Sequence, residues 1–390
     1  MNIGFLLNHD AAHQVLHCTP TAFELARRYA GSGLSISIIS TTEEETEAVK
    51  EIAAAYPPNL CGMITAEAPF YARWFDRFTG HALLAKRFAV LWRHRKLFRS
   101  LDALVVPDKT SLVLKRWLGR DCPKIINTFH GAGDRSGGYK GVEKFDYHLL
   151  PGPKYRGRML AEGLVDPDRC AVVGYVKFDH IRDTPRPGLF RNDRPTVLYA
   201  PHFDPKYSSW FYWGKTILDY FAGNEKYNLI FAPHVLLFRR RWHISTEGGT
   251  PRFTPAIPQS CKEAENLIID PGSIASIDMT YTRAADIYLG DVSSLVYEFL
   301  YDPKPCIFLN PAQAKWENNP NFRFWHLGEV LTSTEPLGQT LDNARANHQS
   351  YREKQREAVK EAFDLNETPS SVRAADAIAG FLSVRSPEVS

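Results

Sequence analysis

The sequence predicts an α/β protein of two parallel-sheet domains, and three observations carry that prediction. Short apolar runs recur along the 390 residues, each followed by a loop and a helix-like stretch, so strands alternate with helices as in parallel sheets. The length suits two ordinary domains. A stretch rich in Pro, Arg and Asp, RDTPRPGLFRNDRP at 182–195, interrupts the pattern near its middle and reads as a linker.

The elements follow in order. IGFLL (3–7) is a short apolar run and reads as a buried strand. A polar loop follows, and Thr19-Pro20 then reads as the N-cap and first residue of a helix. That helix ends at Gly31 or Gly33, and LSISIIS (34–40) is the next strand, which completes a βαβ unit. Further strands are predicted at 101–107, 124–130, 147–153 and 170–175. Beyond the linker the pattern repeats, with strands at 196–202, 227–234, 266–271, 286–291 and 304–310 and a helix over 293–301. The expected domains are 1–185, 186–348 and a helical tail, 349–390, broken at Pro369 and packing back on the first domain.

Composition excludes several classes. Forty-seven Lys and Arg stand against forty-four Asp and Glu, so the chain is no polycation built to coat nucleic acid. No run approaches the roughly 18 apolar residues that span a bilayer. The N-terminus lacks a basic region and cleavage pattern, so no export is expected. Six scattered cysteines with no Cys-x-x-Cys pair read as thiols in a reducing cytoplasm.

The overall charge conceals one unusual segment. Residues 70–99 hold eight basic residues against one acid, interleaved with eight aromatics. A basic, aromatic, amphipathic helical stretch suits an anionic membrane surface. The residues expected to make that contact are Arg73, Trp74, Arg77, Lys86, Arg87, Trp92, Arg93, Arg95 and Lys96. A helix packed on the domain with a solvated basic face is the plainer alternative.

In open α/β sheets, ligands bind beyond the carboxyl ends of the strands. Four predicted strands end in a histidine: His9 with His13 and His17, then His130, His202 and His234. His130 opens a glycine-rich loop, Gly131 to Gly138, which contains Arg135 and suits close approach of backbone N–H groups to an anion. Asp291, Ser293 and Ser294 lie between a strand and a helix, where the serines suit capping and the helix start suits a phosphate. The His9, His13, His17 spacing falls in an expected loop, so no metal site is assigned there.

Several blocks resemble the CDP-glycerol glycerophosphotransferases of teichoic acid and capsule synthesis. These are TFHGAGDR (128–135), VVGYVKFD (172–179), LYAPHFD (198–204), FAPH (231–234), DIYLGDVSSLVYEFL (286–300) and KPCIFLN (304–310). His17-x-x-Pro20 and the stretch after it resemble the first βαβ unit of GT-B glycosyltransferases. The resemblance implies a GT-B fold, two Rossmann-like domains facing a central cleft, with the donor bound mainly by the second. It implies that His130 is the catalytic base or a transition-state contact, and His17 is the second catalytic candidate. Gly131, Arg135, His202, His234, Asp291, Ser293 and Ser294 would bind the donor. The implied reaction moves glycerol phosphate from CDP-glycerol to a hydroxyl of a membrane-associated lipid or glycan, releasing CMP. It implies no cofactor and no metal beyond the nucleotide-activated donor, no nucleic-acid partner, and a peripheral site on the inner face of the cell membrane.

This chain has His130-Gly131-Ala132-Gly133 where the family commonly has His-Gly-Thr-Pro, and Pro201-His202 where it tends to have Pro-Thr. Two alternatives therefore stand: a nucleotide-sugar glycosyltransferase or epimerase relative on the same scaffold, and a non-catalytic membrane-binding scaffold.

Overall fold

The computed structural model describes residues 1–9, 14–78, 85–129, 131, 141–182, 184–245 and 249–384, with the Arg77 side chain left out. The chain divides into two units. One comprises 1–130, 139–184 and 360–390, and the other 131–138 and 185–359.

The first unit is built on a seven-stranded, wholly parallel sheet in the order β3-β2-β1-β4-β5-β6-β7. Its elements run β1 Asn2–Leu6, α1 Val15–Arg28, β2 Ser35–Ser40, α2 Glu43–Ala53, β3 Gly62–Thr65, then the helices α3 Phe70–Phe78, α4 Ala85–Arg93 and α5 Arg95–Arg99. They continue with β4 Ala103–Val106, α6 Val113–Leu118, β5 Lys124–Thr128, β6 Tyr147–Leu150, α7 Pro153–Ala161 and β7 Cys170–Val172. Strands such as ALVV (103–106) are apolar on both faces because helices cover both faces of a parallel sheet.

Local chemistry sets the helix ends. Thr42 accepts a bond from Glu45 N at 3.1 Å, and the Glu45 carboxylate reaches back to Thr42 N, a complete capping box for α2. Glu45 is buried, and loss of water raises its pKa to about 7. Helix α1 differs from the sequence expectation. It begins at Val15, and Pro20 lies inside it rather than at its first position. Val15, Cys18, Ala22, Leu25 and Ala26 form one buried stripe, so packing overrides the missing Pro20 N–H and the capping preference of Thr19.

The second unit carries a six-stranded parallel sheet, β12-β9-β8-β13-β14-β15. Its elements are β8 Thr196–Ala200, α8 Trp210–Ala222, β9 Asn228–Phe231, α9 Leu236–Arg239, and a small antiparallel ribbon of β10 Trp242–His243 and β11 Arg252–Phe253. Then come α10 Gln259–Lys262, β12 Leu267–Ile269, α11 Thr280–Ala284, β13 Ile287–Gly290, α12 Leu295–Phe299, β14 Cys306–Leu309, β15 Glu329–Leu331 and α13 Leu337–Ala346.

Helix α14, Gln349–Ala362, carries the chain out of the second unit, and α15, Ser370–Phe381, belongs to the first. Ala374, Ala375, Ile378 and Ala379 of α15 share a core with Ile3, Phe5 and Ala22. Asp376 pairs with Arg28 at 2.9 Å and accepts a bond from the Tyr29 hydroxyl. The first amides of α15, Ser370 N and Ser371 N, donate to the Asp179 carboxylate at 2.9 and 2.7 Å. The Asp of the VVGYVKFD block is thus a long-range cap for a helix nearly 200 residues away.

The fit is close at Gly152, where a Cβ would stand 2.3 Å from the Ala362 carbonyl oxygen. Gly152→Ala therefore forces backbone apart and is expected to destabilise the first unit by about 1–3 kcal/mol. A lowered melting temperature checks this, and an unchanged one refutes it.

Candidate functional site

Three loops at the carboxyl ends of β8, β9 and β13 meet in the second unit, where parallel sheets place ligands. Their centre is Asp291, which is fully buried. Its Oδ2 accepts His202 N at 2.8 Å and Ser209 N at 2.9 Å. One carboxylate oxygen thus ties the loop after β8 to the start of α8. Burial raises the Asp291 pKa to about 7, even though these bonds pull it down. Asp291 was expected to touch the donor. It lies buried beneath the loops, where its Oδ2 positions His202.

His202 and His234 stand beside each other with ring centroids 5.5 Å apart, and Phe203 packs against both, at 4.5 and 4.6 Å. Asp204 N donates to His202 Nδ1 at 3.0 Å, and Leu236 N donates to His234 Nδ1 at 3.2 Å. Each Nδ1 is an acceptor, so in the neutral rings the proton sits on Nε2. His234 N is bonded to Pro201 O at 3.0 Å, which sets the two histidine loops in register. Loss of water around the His234 ring, with Arg240 and His243 near, lowers its pKa to about 4. A neutral imidazole with a fixed tautomer donates Nε2–H to an anionic oxygen without itself needing a counter-charge.

The serines behave differently from the expectation. Helix α12 begins at Leu295, and the Ser294 side chain makes no cap. Ser293 Oγ accepts from Leu295 N at 3.2 Å. Gly131 groups with this second unit, and a Cβ added to it would meet Ser294 Oγ at 3.5 Å. His130 and Arg135 lie outside the described residues, as does His13.

In the first unit, His17 lies in the first turn of α1 and is buried. It packs edge-on to Tyr175 at 5.1 Å, and its carbonyl accepts from Thr128 Oγ1 at 3.4 Å. It therefore stands at the carboxyl end of β5.

The basic aromatic segment sorts into two sets. Ala72 and Asp76 of α3 face inward, and Lys86 approaches the buried Asp76 at 4.0 Å. Phe70, Trp74 and Phe78 share the opposite stripe, with Trp74 68% exposed and stacked on Phe78 at 5.7 Å. Arg73, Trp92, Arg93 and Lys96 are exposed, and the Arg95 guanidinium lies 4.5 Å over the Trp92 ring. Arg87 is buried, and Lys86 is largely so, because α4 turns them toward the domain. The expected membrane contact by these two is therefore corrected.

Sequence reasoning missed Ser209, Phe203, His243 and Ser245. Ser209 carries no motif. Phe203 sits in a quoted block, and only the folded loops show it packed against both histidines.

Among the described residues, no helix is long and apolar enough to cross a membrane, and no group of three His, Cys, Asp or Glu is placed to hold a metal. Residues 190–380 match the family of CDP-glycerol:poly(glycerophosphate) glycerophosphotransferases. A search of curated proteins finds no significant match. Among solved structures, the wall teichoic acid polymerase TagF aligns over 98% of this chain and 89% of its own, with TM-score 0.61 and 13% identity. A UDP-N-acetylglucosamine 2-epimerase aligns over 99% and 98%, with TM-score 0.60 and 13% identity. The S. aureus MnaA–UDP complex aligns over 99% and 98%, with TM-score 0.59 and 12% identity. At these identities the likeness shows the shared two-unit GT-B fold.

Asp291 gives a test with a worked sign. Asp291→Ala leaves two buried amides without an acceptor and should cost about 2–4 kcal/mol in urea denaturation, whereas Asp291→Asn keeps a carbonyl oxygen and should cost less than half of that. The folded carboxyl, near pKa 7, holds its proton more tightly than the unfolded one, near about 3.9. Its contribution is lost as pH rises through 7, so the parent gains on Asp291→Asn as pH falls from 7 to 5. His234 runs the other way: its folded pKa is depressed, so its contribution is lost as pH falls from about 6.5 toward 4. Equal pH slopes in parent and variants would refute these assignments.

Proposed function

We propose, from the premise that residues 190–380 belong to the CDP-glycerol:poly(glycerophosphate) glycerophosphotransferase family, that this transferase moves glycerol phosphate from CDP-glycerol to an acceptor hydroxyl at a membrane surface and releases CMP. The observation that carries the reading is the convergence of His202, His234 and the Asp291–Ser294 loop at the carboxyl edge of the sheet that the family match covers.

The chemistry follows from those groups. The acceptor oxygen attacks the β-phosphorus, the bond from that phosphorus to the bridging oxygen breaks, and the bridging oxygen departs with CMP. His130 takes the hydroxyl proton as the new P–O bond forms. Neutral His202 and His234 donate Nε2–H to the diphosphate oxygens, where charge grows as CMP leaves. Arg135 adds a fixed positive charge to the same diphosphate. Asp291 acts through His202, by holding that loop in place.

The membrane acceptor rests on α3. Its polar Asp76 faces the domain while Phe70, Trp74 and Phe78 face out, an inverted amphipathic pattern for a helix in water. Rings of this kind settle at a lipid interface, and Arg73, Arg93 and Lys96 suit anionic headgroups. The enzyme would then work as a peripheral protein on the inner face of the cell membrane.

Purified protein should release CMP from CDP-glycerol when given a lipid acceptor, and His130→Ala should lower kcat by roughly 10²–10⁴-fold. A thermal-shift panel of CDP-glycerol, CMP, UDP-sugars and GDP-sugars decides the donor. Stabilisation by a nucleotide-sugar with none by CDP-glycerol or CMP would sink the proposal. For the membrane reading, Trp74→Ser with Phe78→Ser should weaken sedimentation with phosphatidylglycerol vesicles on the order of tenfold. Unchanged sedimentation refutes α3 as the contact.

A further inference from the structure

The ribbon β10–β11 shows the same inversion in the other unit, on residues that no motif or family block includes. Trp242 and Phe253 are direct partners in its antiparallel register, and His243 pairs with Arg252. Partners across a register share a face. Trp242 (43% exposed) and Phe253 (79%) therefore lie side by side on the outer face, and Ile244, two residues along, continues it at 49%.

The inner face holds the polar groups. His243 is buried and bonded through Nε2 to Leu237 O at 3.0 Å. Ser245 is buried and donates to Asp204 Oδ2 at 3.0 Å. Arg252 turns over the Tyr212 ring at 4.3 Å. Thr254 Oγ1 ties the ribbon to Leu237 O and Arg240 O at 3.1 and 3.0 Å. A ribbon in water buries its apolar side chains and exposes its polar ones, and this one does the reverse while firmly anchored.

We propose that the outer face of this ribbon is a second membrane contact, in which Trp242, Ile244 and Phe253 enter the interface of an anionic bilayer. The inference rests on the membrane reading above for its partner and on different residues for its site. Charge complementarity selects the occupant: Arg239 and Arg241 are exposed beside the ribbon, and residues 239–253 hold four Arg against the single acid Glu247. The side chains select lipid over a glycan or polymer. Ile244 and Phe253 carry no hydrogen-bonding atom, whereas a surface that reads sugars or phosphodiesters needs such atoms.

The placement has a functional consequence. Ser245 holds the Asp204 carboxylate, and Asp204 N holds His202 Nδ1. The face that meets lipid is therefore joined by two hydrogen bonds to the histidine pair of the donor site. Seating the ribbon on a bilayer steadies the loop that presents His202.

The full chain with Trp242→Ser and Phe253→Ser should lose on the order of tenfold in partition to mixed phosphatidylglycerol–phosphatidylcholine vesicles, with its melting temperature kept. An environment-sensitive fluorophore at Phe253→Cys, in a Cys122→Ser background, should shift to the blue on those vesicles and stay unshifted on phosphatidylcholine alone. No shift on anionic vesicles, or a shift with soluble poly(glycerol phosphate) in their absence, overturns the inference. The label also separates the two sites. A shift that survives Trp74→Ser with Phe78→Ser supports the ribbon even if α3 proves to be no contact, and a label that stays silent on vesicles the otherwise unaltered protein binds through α3 defeats the ribbon alone.

Discussion

A parallel sheet has no face to leave in water, and this constraint shapes both units. Every strand of the two large sheets pairs in parallel, so each sheet must be covered on both sides by helices. The first unit does not obtain all of its cover from its own continuous stretch of chain. Helix α15 returns from beyond the second unit and lays Ala374, Ala375, Ile378 and Ala379 into the same core as β1 and α1. With both faces taken, polar chemistry concentrates at the sheet edge. The histidines, Asp204 and Asp291 of the second unit lie at the ends of strands for that reason.

At that edge the protein spends little charge. Asp291 is placed where desolvation favours its neutral form, and His234 is kept uncharged by its surroundings. Two imidazoles of fixed tautomer offer donors to an incoming anion and present no full positive charge to bind it irreversibly. Affinity for an anion then comes from oriented dipoles, which favour whichever species carries the most charge at the site.

Much of this was legible in the sequence, and the failures have physical causes. Apolar runs such as FLL, ALVV and CIFL marked buried strands because parallel strands need no alternation. The histidines at strand ends could be placed in the second unit because the carboxyl edge is a property of topology. Pro20 misled because capping preferences are worth about 1 kcal/mol, less than burying a stripe of five side chains. Arg87 misled because composition records how many charges a helix has and not which way they turn. Asp291 was recognised as important, and only the folded loops show that its Oδ2 holds the His202 loop, because a motif names residues without their bonds. The ribbon escaped altogether. Two strands of two residues each lie below any periodicity count, and their inverted pattern shows only when inner and outer faces are known.

The return of the chain also orders events in time. Synthesis runs from the N-terminus at about 5–20 residues per second. Strands β1 to β7 have all left the ribosome while the α15 stripe that completes their core is still unmade. The second unit, by contrast, is contiguous apart from residues 131–138 and has its sheet and flanking helices in hand first. The half that begins the sequence is therefore the half whose core is the last to be fully synthesised.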